Sequence, residues 1–128
     1  RMPEVAGGTW SVQGIGDRPL RAPRLPLDFG NSGTSARLFM GLVAGYPISA
    51  IFTGDASLSR RPMGRVMKPL SQMGAKFETT TADRLPIRVV GSHHLRAIHY
   101  ELPVASAQVK SAILLAARHP RSMTTIVE

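Results

Sequence analysis

Residues 30–37 spell Gly-Asn-Ser-Gly-Thr-Ser-Ala-Arg and run straight into an apolar stretch over 38–44. The first turn of a helix carries unpaired N–H groups and a partial positive charge. Glycine lets a ligand approach that backbone, and Ser or Thr hydroxyls add donors, so the spacing suits an anion. No Gly-Lys-Ser/Thr follows, which excludes a Walker loop, and the glycines lack the spacing of a dinucleotide fingerprint. Taken alone, the stretch is explained equally well by an N-cap behind a tight turn.

Two further segments share this character. Residues 53–62, Thr-Gly-Asp-Ala-Ser-Leu-Ser-Arg-Arg-Pro, put Arg61 just before a proline suited to the first turn of a helix. A guanidinium sits poorly beside the positive end of a helix dipole unless an anion shares the site. Taken singly, Arg61 pointing into water is the simpler reading. Residues 105–108, Ala-Ser-Ala-Gln, offer Ser106 as an N-cap, with Gln108 projecting from the first turn. Three polar helix starts in one arginine-rich chain point to convergent anion sites.

The elements that must position them follow from apolar spacing. Helices are predicted over 34–44, 62–73 and 106–117. In the second, Met63, Val66, Met67, Leu70 and Met73 share one face, with the methionines as core filler, and Pro69 should kink it. In the third, Val109, Ala112, Ile113 and Ala116 form the apolar face. Residues 48–52, 76–80, 86–90 and 97–101 have the character of strands. An internal echo links residues 10–14 to 87–91, and Leu20-Arg21-Ala22 to Leu95-Arg96-Ala97. Eleven residues after each leucine stands a polar helix start, Asn31 in one copy and Ser106 in the other. A duplicated supersecondary unit offset by about 75 residues accounts for the echo.

Bulk composition narrows the function classes. With 128 residues the chain can hold one modest domain, and 43% hydrophobic residues exclude a disordered chain. No apolar run approaches a membrane span, and no charged-then-apolar leader opens the chain. The chain starts at Arg1-Met2-Pro3 and stops within a strand-like run, as a piece of a longer protein would. The absence of cysteine excludes disulfides and thiolate metal sites and fits a reducing cytoplasm. His93, His94, His99 and His119 lack a zinc-ligand spacing and read as surface polar residues, leaving no expected metal site. The net charge is +8, from 16 basic and 8 acidic residues, and 13 of the basic ones are arginine. Arginine favours bidentate recognition of carboxylate or phosphate. Scattered arginines and few aromatics suit small anions at least as well as nucleic acid.

Taken together, LDFGNSGTSARLFMGLVAG, FTGDASLSRRPMGRVMKPLSQMGA, DRLPIRVVG and LPVASAQVKSAILLAA resemble the 5-enolpyruvylshikimate-3-phosphate synthase family. The likeness keeps the family's order and spacing over residues 27–117, and residues 1–26 match more loosely. The ASAQ wording is similar to that of one bacterial branch. The resemblance implies an α/β (α+β) fold of repeated βαβαββ units, with this chain a single partial domain of the N-terminal lobe. Residues 1–26 would end one unit, 27–91 make a nearly complete one, and 92–128 start the next. It implies transfer of the enolpyruvyl group of phosphoenolpyruvate to the 5-hydroxyl of shikimate 3-phosphate, with release of phosphate. The reaction would run by addition–elimination through a tetrahedral intermediate, toward chorismate and the aromatic amino acids, with no metal or organic cofactor. The implied partners are the two substrates and the inhibitor glyphosate, not nucleic acid or membrane, and the full-length enzyme would be a cytoplasmic monomer.

Residue by residue, the resemblance implies phosphoenolpyruvate contacts at Asn31, Gly33, Thr34 and Arg61, with Gly33 the closest. It implies shikimate 3-phosphate contacts at Ser106 and Ala107, and a glutamine, Gln108, that reaches both substrates. Ala107 stands where the other branch has serine, so a contact there runs through its backbone. Arg37 matches a family arginine without a firm role. The general acid and base match no residue of this chain, which alone should be inactive. Two alternatives stand beside this reading. One is the UDP-N-acetylglucosamine enolpyruvyl transferase, with the same fold and donor, against which GDASLSRRPMG followed by ASAQVKSA weighs. The other is a non-catalytic, basic nucleic-acid-binding domain.

Overall fold

The computed structural model describes residues 4, 5 and 7–128; residues 1–3 and 6, part of the loosely matching 1–26 segment, lie outside the described residues. Strands β1 (Glu4–Val5) and β2 (Thr9–Trp10) pair antiparallel. Then come β3 (Leu27–Asp28), α1 (Gly33–Ala44), β4 (Ser49–Thr53), α2 (Ala56–Ser59), α3 (Gly64–Met73), β5 (Lys76–Thr79) and β6 (Ile87–Val90). The chain closes with β7 (His99–Glu101), α4 (Ala107–Ala116) and β8 (Thr125–Val127). Residues 27–90 build one sheet in the order β3-β4-β6-β5. β3 and β4 run parallel, Leu27 opposite Phe52, whereas β4, β6 and β5 pair antiparallel. Parallel neighbours need a crossover. α1 supplies it between β3 and β4, and α4 supplies it between the parallel pair β7 and β8.

Alternation along the central strands buries Ala50, Phe52, Ile87 and Val89 on one face, against Met40 and Val43 of α1 and Val66, Leu70 and Met73 of α3. Val109, Ala112, Ile113 and Ala116 of α4 complete the same core; of the methionines expected as filler, Met63 and Met73 are fully buried within it and Met67 packs against it partly buried. α1 and α4 cross backbone to backbone. A Cβ built on Gly41 would lie 2.1 Å from the Ala112 carbonyl oxygen, so only glycine permits this approach. The crossing sets the beginnings of the two helices side by side.

Several expectations shift. The helix expected over 62–73 begins at Gly64, with Pro62 before it, and it runs through a buried Pro69 to Met73. A separate four-residue helix, α2, lies within the 53–62 segment, where Asp55 caps it by accepting from the Leu58 N–H at 2.7 Å. The echo survives in β3-α1-β4 and β7-α4-β8 but not in residues 10–14, where β2 ends at Trp10. The N-cap of α1 is Ser32, one residue after the polar start expected at Asn31. His119 is half-buried rather than fully exposed: its ring packs edge-on against Tyr46 at 4.9 Å, and a Cβ on Gly45 would strike it. Burial, and then the charges of Arg118 and His93, hold its basicity below that of an ordinary histidine. His93, His94 and His99 are exposed, as expected.

Candidate anion site at the helix starts

Each helix start is built by its own local chemistry. Ser32 opens α1 by accepting from the Ser35 N–H at 3.1 Å. Asp55 opens α2, and Ser106 opens α4 by accepting from the Val109 N–H at 3.3 Å. α3 has no side-chain cap from Met63; Asp83 accepts from the Gly64 N–H at 3.1 Å instead. Arg61 lies between α2 and α3, and its N–H bonds back to the Leu58 carbonyl.

A hydrogen-bonded network joins these starts. Gln108 on α4 donates from Nε2 to Thr34 Oγ1 on α1 at 2.9 Å, and its Oε1 accepts from Arg37 Nη1 at 2.9 Å. Arg37 Nη2 also donates to the Pro62 carbonyl at 3.1 Å. On the other side of the loop, Arg61 Nη2 donates to Asn31 Oδ1 at 3.4 Å, and Asn31 Nδ2 donates to the Asp55 carboxylate. Gly33 lies between the two halves. It is buried, and a Cβ there would fall 2.6 Å from Arg37 Nη1 and 3.1 Å from Arg61 Nη1. Asn31, Gly33, Thr34, Arg61 and Gln108, separated widely in sequence, are thus brought together. Ser106 joins Arg37, Pro62, Arg65, Gln108 and Val109 around an open recess of about 370 Å³. Ala107, the first residue of α4, is exposed and enters none of these bonds.

The field here is positive. Burial first, then the charges of Arg61 and Arg65, pull the Arg37 guanidinium below its usual basicity. Among the described residues none of these three arginines is ion-paired with a carboxylate. Asp55 is the acid of the cluster. The Leu58 N–H holds its carboxyl below the usual carboxylate range, some desolvation opposes that, and Asn31 and Arg61 add to the lowering. Converging guanidiniums at a helix N-terminus can bind a carboxylate or phosphate bidentately.

Sequence reasoning left Arg37 without a firm role and gave Asp55 none. Both carried a usable signal. Arg37 stands four residues after Gly33 and three after Thr34, on one helix face with them. Asp55 is a strong N-cap type before a short polar run.

A family model described as EPSP synthase (3-phosphoshikimate 1-carboxyvinyltransferase) matches residues 4–128. The 3-phosphoshikimate 1-carboxyvinyltransferase of Parvibaculum lavamentivorans is 59% identical over 123 residues, covering 96% of this chain and 27% of the relative. The protein of the same name from Novosphingobium aromaticivorans is 56% identical over 123 residues, 96% of this chain and 28% of the relative. The solved EPSP synthase of Acinetobacter baumannii superposes with a TM-score of 0.90 at 43% identity, over 100% of this chain and 29% of that one. The chain therefore spans 27–28% of the length of these curated relatives.

Proposed function

Because the chain belongs to the EPSP synthase family, we propose that its joined helix starts are the share this segment contributes to a site for phosphoenolpyruvate and shikimate 3-phosphate. The complete enzyme then transfers the enolpyruvyl group to the 5-hydroxyl of shikimate 3-phosphate and releases phosphate. The observation that carries this reading is the pair of guanidiniums over Gly33, where a Cβ would meet Arg37 Nη1 and Arg61 Nη1. Such groups can hold a small anion bidentately, beside a backbone with no side chain to exclude it.

In this reading Asn31, Gly33, Thr34 and Arg61 face phosphoenolpyruvate. Ser106 and the backbone of Ala107 face shikimate 3-phosphate. Gln108, bonded to Thr34 and Arg37, sits where both substrates meet. The general acid and base come from segments beyond this one, so the segment binds and orients and does not transfer protons. Residues 27–91 make one βαβαββ unit and 92–128 begin the next, and the complete enzyme is a cytoplasmic monomer inhibited by glyphosate. The family match favours the shikimate enzyme over both the UDP-N-acetylglucosamine enzyme and a basic nucleic-acid-binding domain.

Arg61→Lys in the complete enzyme tests the assignment. An ammonium keeps the charge but not the bidentate fork. Losing a charged hydrogen bond costs about 1.5–3 kcal/mol, so kcat/KM for phosphoenolpyruvate falls by about tenfold or more. Unchanged kinetics for both substrates would mark Arg61 as a solvated surface charge.

A further inference from the structure

We propose that Asp55 is a positioning residue for the anion site, acting through Asn31 to fix how Arg61 presents its guanidinium. The Asp55 carboxylate accepts from Asn31 Nδ2 at 3.1 and 3.3 Å, and Asn31 Oδ1 accepts from Arg61 Nη2 at 3.4 Å. A carboxylate offers only acceptors and a guanidinium only donors. One orientation of the Asn31 amide therefore satisfies both neighbours, with nitrogen toward Asp55 and oxygen toward Arg61. The flipped amide sets oxygen against oxygen on one side and donor against donor on the other.

Asp55 is itself held on two sides. It caps α2 through the Leu58 N–H at 2.7 Å, and its own N–H donates to the Gly30 carbonyl at 2.8 Å. The turn before α2 is thereby tied to the loop before α1. Arg61 is exposed, and its side chain has many rotamers to lose on binding. An acceptor held at its guanidinium by a rigid relay removes part of that loss in advance. Asp55 touches no substrate in this scheme.

Simple charge predicts the opposite sign, which makes the proposal testable. Removing a negative charge from a cationic cluster should strengthen the binding of an anion. Asp55→Asn removes that charge and keeps the α2 cap, since asparagine caps as well as aspartate. The new side chain spends its oxygen on Leu58 and turns its NH₂ toward Asn31. Asn31 must then offer its oxygen to residue 55 and aim its own NH₂ at Arg61.

The proposal rests on the phosphoenolpyruvate assignment above, and the test uses steady-state kinetics of the complete enzyme. Asp55→Asn should raise KM for phosphoenolpyruvate by about fivefold or more, one hydrogen bond's worth. KM for shikimate 3-phosphate and the melting temperature should hold. Asp55→Ser also caps α2 but is too short for the relay, and it should raise the same KM with the same melting temperature. A KM for phosphoenolpyruvate that stays or falls in an active Asp55→Asn enzyme overturns this proposal alone. Both KM values rising together with a lowered melting temperature would reduce Asp55 to a cap, and also overturn it. A wild type that turns over neither substrate overturns the assignment and the proposal with it.

Discussion

In the complete enzyme, Gly33→Ala should lose glyphosate affinity by roughly tenfold to hundredfold, an overpacking cost of about 1–3 kcal/mol, and lose less affinity for phosphoenolpyruvate. The added methyl would lie 2.6 Å from Arg37 Nη1 and 3.1 Å from Arg61 Nη1. Both contacts are the far ends of flexible side chains, so the guanidiniums move and the fold does not. The space they move into is the space proposed for the anion. Glyphosate, which the family resemblance makes the longer competitor for the proposed pocket, should have less room to spare than the substrate. A rival explanation holds that the turn needs glycine for a positive φ. In this loop that demand falls on Gly30, at φ +56°, and Gly33 is an ordinary first residue of α1. Alanine suits a helix better than glycine, so the melting temperature should hold or rise. Paired inhibitor and substrate titrations with a thermal melt check this. Equal loss of both ligands with a lowered melting temperature would make the glycine structural.

The same substitution eight residues on should do the reverse. A Cβ on Gly41 would lie 2.1 Å from the Ala112 carbonyl oxygen and 2.8 Å from its Cα. These are backbone atoms in the middle of α4, and they cannot swing aside. α1 and α4 must separate, and Gly41→Ala should destabilise the protein by about 3 kcal/mol. Activity should fall with it, because the crossing holds Gln108 against Thr34. Chemical denaturation of the complete protein measures this, and a variant as stable as wild type would show that the helices do not meet there.

The contrast shows what was legible in the sequence. The three long helices and the central strands were written in apolar spacing, and Ser106 in its capping type. The Gly-Asn-Ser-Gly-Thr-Ser stretch identified one helix start as a candidate anion site. What joins the starts was not local. The Arg37–Gln108 bond spans 71 positions and the Asn31–Asp55 bond 24, and such pairings arise only once α1 crosses α4 and β4 pairs with β3. α2 was missed because four residues carry no periodicity, and its cap is its only signal. His119 read as a surface residue because nothing in its spacing reveals the Tyr46 ring packed against it.

Phosphate release by the complete enzyme, with phosphoenolpyruvate held constant and the acceptor varied, is the most direct test of the central claim. Release should require shikimate 3-phosphate, saturate with it, and not occur with UDP-N-acetylglucosamine. Release supported by the UDP-sugar instead, or no release with shikimate 3-phosphate, would contradict it.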